Sequence, residues 1–288
     1  MDKPIRSILI YGYGVMGQGV ARTFADAGFT TTVKSSRAAG LKLPANIKAV
    51  GTLPAEAPDM AIEFVAEDVA TKQKVIAELE AAWPGANTLI ATGSSGLDLI
   101  ELAHGMKHPE RFIGLHYFMP ADTTPVVEVM AGLDATREAV DRAAEALRKS
   151  GKEPVLLYKP IVGFLINRLQ HAILHEAYYL IDEGVATAEE IDRCAREMLA
   201  PRMCITGLIE QKDISGLDTH ALAQQALVPV LHHGDKPRRA LQDLYQAGHL
   251  GIKTGKGFYD WSGKEPAKVK AEAARKLNEL LAYLQQQR

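Results

Sequence analysis

Residues 7–11 read SILIY and run directly into Gly12-Tyr13-Gly14-Val15-Met16-Gly17. An apolar run, then G-x-G-x-x-G, then a helix-length segment over residues 17–27 stopped by Gly28, leaves few folds open. The first glycine permits a tight turn out of a strand. The second lets a pyrophosphate approach the backbone, and the third lets the helix pack on the strand. Free amides at the positive end of that helix hold phosphates. Gly12, Tyr13, Gly14, Val15, Met16 and Gly17 are therefore assigned to a dinucleotide cofactor.

The end of the second strand qualifies that assignment. Chains that bind NAD carry an acid about 20 residues beyond the glycines, which accepts hydrogen bonds from the ribose hydroxyls. Here the strand at residues 30–34 ends in Lys34-Ser35-Ser36-Arg37, and no Asp or Glu occurs between Asp26 and Glu56. Hydroxyls from Ser35 and Ser36 with the planar, permanently charged fork of Arg37 suit a 2′-phosphate. The expectation is NADP(H) in preference to NAD(H).

Further strands are expected at residues 60–65, 88–92, 111–116, 125–130 and 154–158. Helices are expected over 69–82 and 136–149. Strands alternating with helices indicate an α/β domain, a Rossmann-type parallel sheet wrapped by helices. From Pro160 the β-branched runs cease, and apolar residues recur at helical spacing through Phe164, Leu165, Leu169, Ile173, Ala177, Leu180 and Ile181. More helical segments follow at 187–199, 218–231, 236–247 and 266–287. This gives two domains, 1–159 for the dinucleotide and 160–288, all-helical, for substrate and dimerisation. The 38–58 connection, broken by Gly40, Pro44, Gly51, Pro54 and Pro58, reads as irregular.

The 33 basic and 35 acidic residues nearly cancel, which argues against nucleic acid or an anionic membrane as partner. No apolar run reaches the ~18 residues of a membrane span. The N-terminal residues lack the features of a cleaved leader, and the expected location is the cytoplasm. Cys194 and Cys204 are too few for a disulfide framework and read as small buried residues. His171 and His175 stand at i, i+4 with Glu176 adjoining. The order differs from the H-E-x-x-H zinc pattern, no third ligand is apparent, and no metal is expected.

One stretch places chemistry, "GLHYFMPADTTPVVEV" at residues 114–129. His116 follows an apolar run, and Glu128 sits among valines a loop away. Two readings fit: a structural salt bridge, or an imidazole proton carrier oriented by a carboxylate.

At these residues the chain resembles the L-3-hydroxyacyl-CoA dehydrogenase family. The resemblance runs through Gly12–Gly17, "FVAED" at 64–68, "ATGSSGLDL" at 91–99, "GLHYFMP", "VVEVM", "GFLINRL" at 163–169, "LIDEGVA" at 180–186, "DISGLD" at 213–218 and "KTGKGFYDW" at 253–261. It implies a Rossmann domain, a helical domain that dimerises, and hydride exchange at a secondary alcohol of a hydroxy or keto acid or its acyl thioester. It also implies His116 as general acid/base with Glu128 as its partner, Ser95 on the reacting oxygen, Asn167 on the substrate and Glu67 beside the nicotinamide. Without the resemblance, Ser95 reads as a helix cap.

Two departures bear on the substrate. Met119 stands where the family usually has Asn, and the 38–58 connection is too short for the charged helical hairpin that helps hold coenzyme A. The spacing of Pro120 and Pro125 instead resembles relatives that oxidise free hydroxy acids, of gulonate or carnitine type. β-Hydroxyacid dehydrogenases need a lysine on the first interdomain helix, and residues 162–168 have none. A non-catalytic NADP-binding module is the alternative of another class.

Overall fold

The computed structural model describes residues 4–85 and 87–287. The chain divides into two compact units, Met1–Arg168 and Leu169–Arg288. The division thus falls inside a helix, later than the boundary expected at Lys159.

In the first unit, β1 (Ser7–Tyr11), β2 (Thr30–Lys34), β3 (Ile47–Val50), β4 (Met60–Glu63), β5 (Leu89–Thr92), β6 (Phe112–Tyr117), β7 (Val126–Ala131) and β8 (Glu153–Leu157) form one sheet. Their order is β3-β2-β1-β4-β5-β6-β7-β8. The helices are α1 (Val15–Asp26), α2 (Val69–Ala82), α3 (Leu99–Leu102) and α4 (Arg137–Lys149). The alternation of side chains along a strand divides the core into two layers. Ile8, Ile10, Met60, Ile62, Ile113 and Leu115 enter one, and Leu9, Ala61, Ile90, Phe112 and Met130 the other. Central strands covered on both sides read as unbroken apolar runs, which made SILIY and MAIE legible.

Two features differ from the expected parallel sheet. β3 lies within the connection read as irregular and pairs parallel with β2. Four residues that include a lysine, between Pro44 and Gly51, carry little strand signal. They are drawn into the sheet by the open edge of β2. The crossover from β2 to β3 contains only the one-turn 3-10 segment Ala38–Gly40.

The second difference is that β7 runs antiparallel to β6, whereas the other paired strands are parallel. Residues 118–125 between them are too few for a parallel crossover, which needs about a dozen residues and usually a helix. The chain must turn back, and the register sets His116 directly opposite Glu128.

α5 (Phe164–Asp182) leads into the second unit. There α6 (Ala188–Cys194) continues through a π-helical turn, Ala195–Leu199, into α7 (Ala200–Thr206). Then come α8 (Glu210–Ser215), α9 (Leu217–Leu227), α10 (Arg239–Gln246) and α11 (Pro266–Gln286). The helix expected over 236–247 begins three residues late. No described residue from Leu169 onward is buried. Cys194 and Cys204, expected to be buried, are exposed, as are most described residues of this unit. No helix among the described residues is long and apolar enough to cross a membrane.

Candidate active site

The glycine turn has the geometry its spacing implies. Gly12 has φ +103°, and a Cβ there would stand 2.7 Å from the Phe64 carbonyl oxygen; one on Gly17 would stand 2.2 Å from the Gly12 oxygen. These two glycines are required by close backbone packing. Gly14 is different: a Cβ there meets nothing within 4 Å. It is the N-cap of α1 and supplies no side-chain hydrogen bond, so the first-turn amides beside it have no side-chain cap. An open approach to uncapped amides at a helix N-terminus fits a pyrophosphate.

At the end of β2, Ser36 and Arg37 are exposed, while the Ser35 hydroxyl accepts from the Arg37 amide at 3.2 Å and shapes the turn. Lys34, beside them in sequence, is directed elsewhere, with its ammonium 4.7 Å from the centre of the Tyr11 ring.

His116 and Glu128 meet at a bond. His116 Nδ1 lies 2.7 Å from Glu128 Oε2, with 6% and 0% of the side chains exposed. A carboxylate only accepts, so Nδ1 is the donor in this contact. The rings of Phe118 and Phe164 flank the imidazole, with centroids 4.5 and 4.9 Å away. The other carboxylate oxygen, Glu128 Oε1, accepts from the amides of Leu165 at 2.8 Å and Ile166 at 3.0 Å. One buried acid therefore orients the histidine and caps the positive end of α5.

Phe164 opens α5 with φ +53°, a conformation a bulky residue rarely adopts. Its ring is wholly buried. A Cβ on Gly114 would stand 2.9 Å from that ring and from Leu99. Gly114 is therefore the residue of β6 that makes room for the phenyl ring beside His116.

The loop after β5 brings Ser95 to the same unit's site. Glu67 Oε1 accepts from the Ser94 hydroxyl at 2.5 Å and from the Ser95 and Gly96 amides at 2.8 and 3.2 Å. Burial alone would raise the Glu67 carboxyl. The Ser94 hydroxyl, the two amides and the Lys72 charge outweigh that and bring it below the ordinary carboxylate range. Asn167 Nδ2 donates to the Ser95 carbonyl at 2.9 Å. Capping of α3 falls to Asp98, which accepts from the Ile100 amide, and Ser95 is exposed. Met119 is 62% exposed.

Sequence reading passed over Lys72 and Glu63. Both are fully buried, and Lys72 Nζ lies 2.8 Å from Glu63 Oε1 and 3.3 Å from Glu67 Oε2. Thr92 donates to Glu63 as well. A lysine inside a helix pattern looks like a solvated residue, and only the fold puts it against two acids. His171, His175 and Glu176 lie on the α5 segment of the helical unit. There Glu176 accepts from the His232 amide at 2.9 Å and the His175 ring packs 4.8 Å from that of His232.

The model of the 3-hydroxyacyl-CoA dehydrogenase NAD-binding domain matches residues 45–160, and that of the family's C-terminal domain matches residues 163–261. A probable 3-hydroxybutyryl-CoA dehydrogenase of Bacillus subtilis is 32% identical over 292 residues, spanning 90% of this chain and 99% of that protein. The chain belongs to the 3-hydroxyacyl-CoA dehydrogenase family. It is a nicotinamide-dependent oxidoreductase. The 5-formyl-3-hydroxy-2-methylpyridine 4-carboxylate 5-dehydrogenase of Mesorhizobium japonicum is 28% identical, over 95% of this chain and 96% of that enzyme. A crystal structure of an enzyme of that name, described as an NAD+-dependent dismutase, superposes with a TM-score of 0.87 at 26% identity. It covers 98% of this chain and 99% of its own.

Replacing Glu128 by Ala leaves a buried imidazole and two helix amides without their acceptor. Unfolding free energy measured by denaturant titration should fall by about 3 kcal/mol or more. Glu128→Gln keeps an oxygen for the amides and should lose less. Equal stabilities for Ala and Gln would show that the α5 contact contributes nothing.

Proposed function

We propose that this protein is an NADP(H)-preferring dehydrogenase that interconverts a hydroxyl and a ketone at the 3-position of a hydroxy or keto acid. His116 is its proton carrier and Glu128 its orienting acid. The observation that carries the reading is the buried 2.7 Å contact between His116 Nδ1 and Glu128 Oε2. Oxidising a secondary alcohol requires that the hydroxyl lose its proton as hydride leaves the carbon, and reducing the ketone requires its return. A bound nicotinamide supplies or accepts the hydride. His116 Nε2 takes up or gives back the proton, and Glu128 stabilises the imidazolium formed in between. Ser95 donates to the reacting oxygen, Asn167 contacts the substrate, and Glu67 holds the Ser95 loop beside the nicotinamide. Gly12 to Gly17 hold the pyrophosphate, and Ser35, Ser36 and Arg37 the 2′-phosphate.

The preference for NADP(H) is supported by the acid-free end of β2. The similar enzyme of known structure is described as NAD+-dependent. A substrate without coenzyme A is favoured by the connection between β2 and β4. It contains one 3-10 turn and the short β3, with no helical hairpin to grip a thioester. A free hydroxy acid of the gulonate or carnitine kind is favoured on that ground, and the acyl thioester is the other reading.

The helical unit supports a homodimer. Ile205, Ile209, Ile214 and Val230 are each at least 70% exposed, more apolar surface than a folded unit ordinarily leaves in water. A second copy of the chain would cover it. Two exposed free thiols suit a reducing cytoplasm.

His116→Gln should lower kcat by about 10²–10⁴, while NADPH affinity from fluorescence titration stays close to that of the wild type; persistent turnover would reject the proton-carrier role. A panel of β-keto acids with NADPH and NADH should give higher kcat/KM for free acids than for acetoacetyl-CoA, and for NADPH than for NADH. Tight NADPH binding with no turnover on any of them would favour a non-catalytic module. Sedimentation equilibrium should return twice the mass of the chain, and a monomer would remove the dimer.

A further inference from the structure

A cavity of about 640 Å³ opens where β2 ends. One wall is the nucleotide turn and α1, through Tyr13 and Gln18. The other is the crossover toward β3, through Ser36, Arg37 and Lys42. No acid lines it. The Gln18 amide is within 3.4 Å of the Tyr13 carbonyl, so the nucleotide-side wall is tied together. The position follows from the sheet. Ser35 donates to the Val50 carbonyl at the end of β3 at 3.1 Å, and this bond pins the start of the crossover. With β3 fixed alongside β2, the crossover makes one 3-10 turn at Ala38–Gly40, and Lys42 beyond it lines the same cavity as Arg37.

We infer that Lys42 is a specificity-determining residue of this enzyme, a second cation that, with Arg37, holds the 2′-phosphate of the cofactor's adenosine ribose. This rests on the NADP(H) reading given above and names a residue that it did not contain. The chemistry is that of a double anion facing two cations on separate segments. Arg37 offers a planar fork, and Lys42 a compact charge with three donors that needs no fixed geometry. Lys34 takes no part, because its ammonium lies over the Tyr11 ring. A ribose carrying a free 2′-hydroxyl has no charge for Lys42 to meet, so the residue discriminates between the two cofactors and adds little to binding NADH.

Lys42 and Arg37 are both exposed, so replacing them leaves the fold intact. In the full-length protein, Lys42→Ala should raise the KM for NADPH about tenfold, the value of one charge-assisted hydrogen bond at a solvated site. The KM for NADH should stay unchanged. The affinity of the free protein for 2′,5′-ADP, from calorimetry, should weaken to the same degree while that for 5′-AMP does not, and Lys42→Arg should restore the KM for NADPH and the affinity for 2′,5′-ADP. If wild type prefers NADPH and Lys42→Ala leaves the ratio of the two KM values as it was, Lys42 is not the second cation and the NADP(H) reading survives through Arg37. If wild type prefers NADH and Arg37→Ala changes nothing, the cofactor reading fails and the inference falls with it.

Discussion

One buried carboxylate ties the candidate site to the start of α5. Glu128 gives one oxygen to His116 and the other to the first amides of α5. Each bond explains the other. A buried anion requires compensation, and a ring N–H with two helix amides at a positive terminus supplies it. The same carboxylate accepts from Nδ1 and so fixes the orientation of the imidazole. The first turn of α5 thus belongs physically to the sheet unit, which is why the compact unit extends to Arg168 and includes Asn167. Phe164, in a left-handed conformation beside Gly114, seals that junction with its ring.

The pairing arises from a topological accident of length. Residues 118–125 cannot span a parallel crossover, so β7 reverses against β6, and in the resulting register residue 116 faces residue 128 on the layer of the sheet that contains Phe164. The polar network behind Ser95 shows the same economy. Buried Lys72 joins Glu63 to Glu67, and Glu67 in turn gathers the amides and hydroxyl of residues 94–96. Three charged side chains from β4, the loop after it and α2 fix a loop that has no regular structure of its own.

The helical unit shows a different balance. Its helices are as apolar as those packed on the sheet, yet none of its described residues is buried. Apolar stripes specify helices locally, through their period, but they do not specify what they pack against. For α1 and α4 the sheet answers that question within the same unit. For the helices after Leu169 the period leaves that question open, and Cys194 and Cys204 are exposed with their neighbours.

The strands β1, β2 and β4 through β8, the helices on them and the glycine turn were legible in the sequence, because each rests on a short-range pattern, a period of two or 3.6 or a glycine spacing; a motif singled out His116, Glu128, Ser95 and Asn167 as candidates. What escaped were features created by partners distant along the chain. β3 is a strand only because β2 leaves an open edge. Lys72 and Glu63 are buried only because α2 closes over β4. The reversal of β7 and the capping of α5 by Glu128 depend on the length of a loop and on what then lies opposite. The sequence by itself determined which residues are candidates for binding a dinucleotide and moving a proton. Tertiary structure alone decided which of them face each other, because opposite charges and hydrogen-bond partners are matched across the sheet, where chain order carries no information about distance.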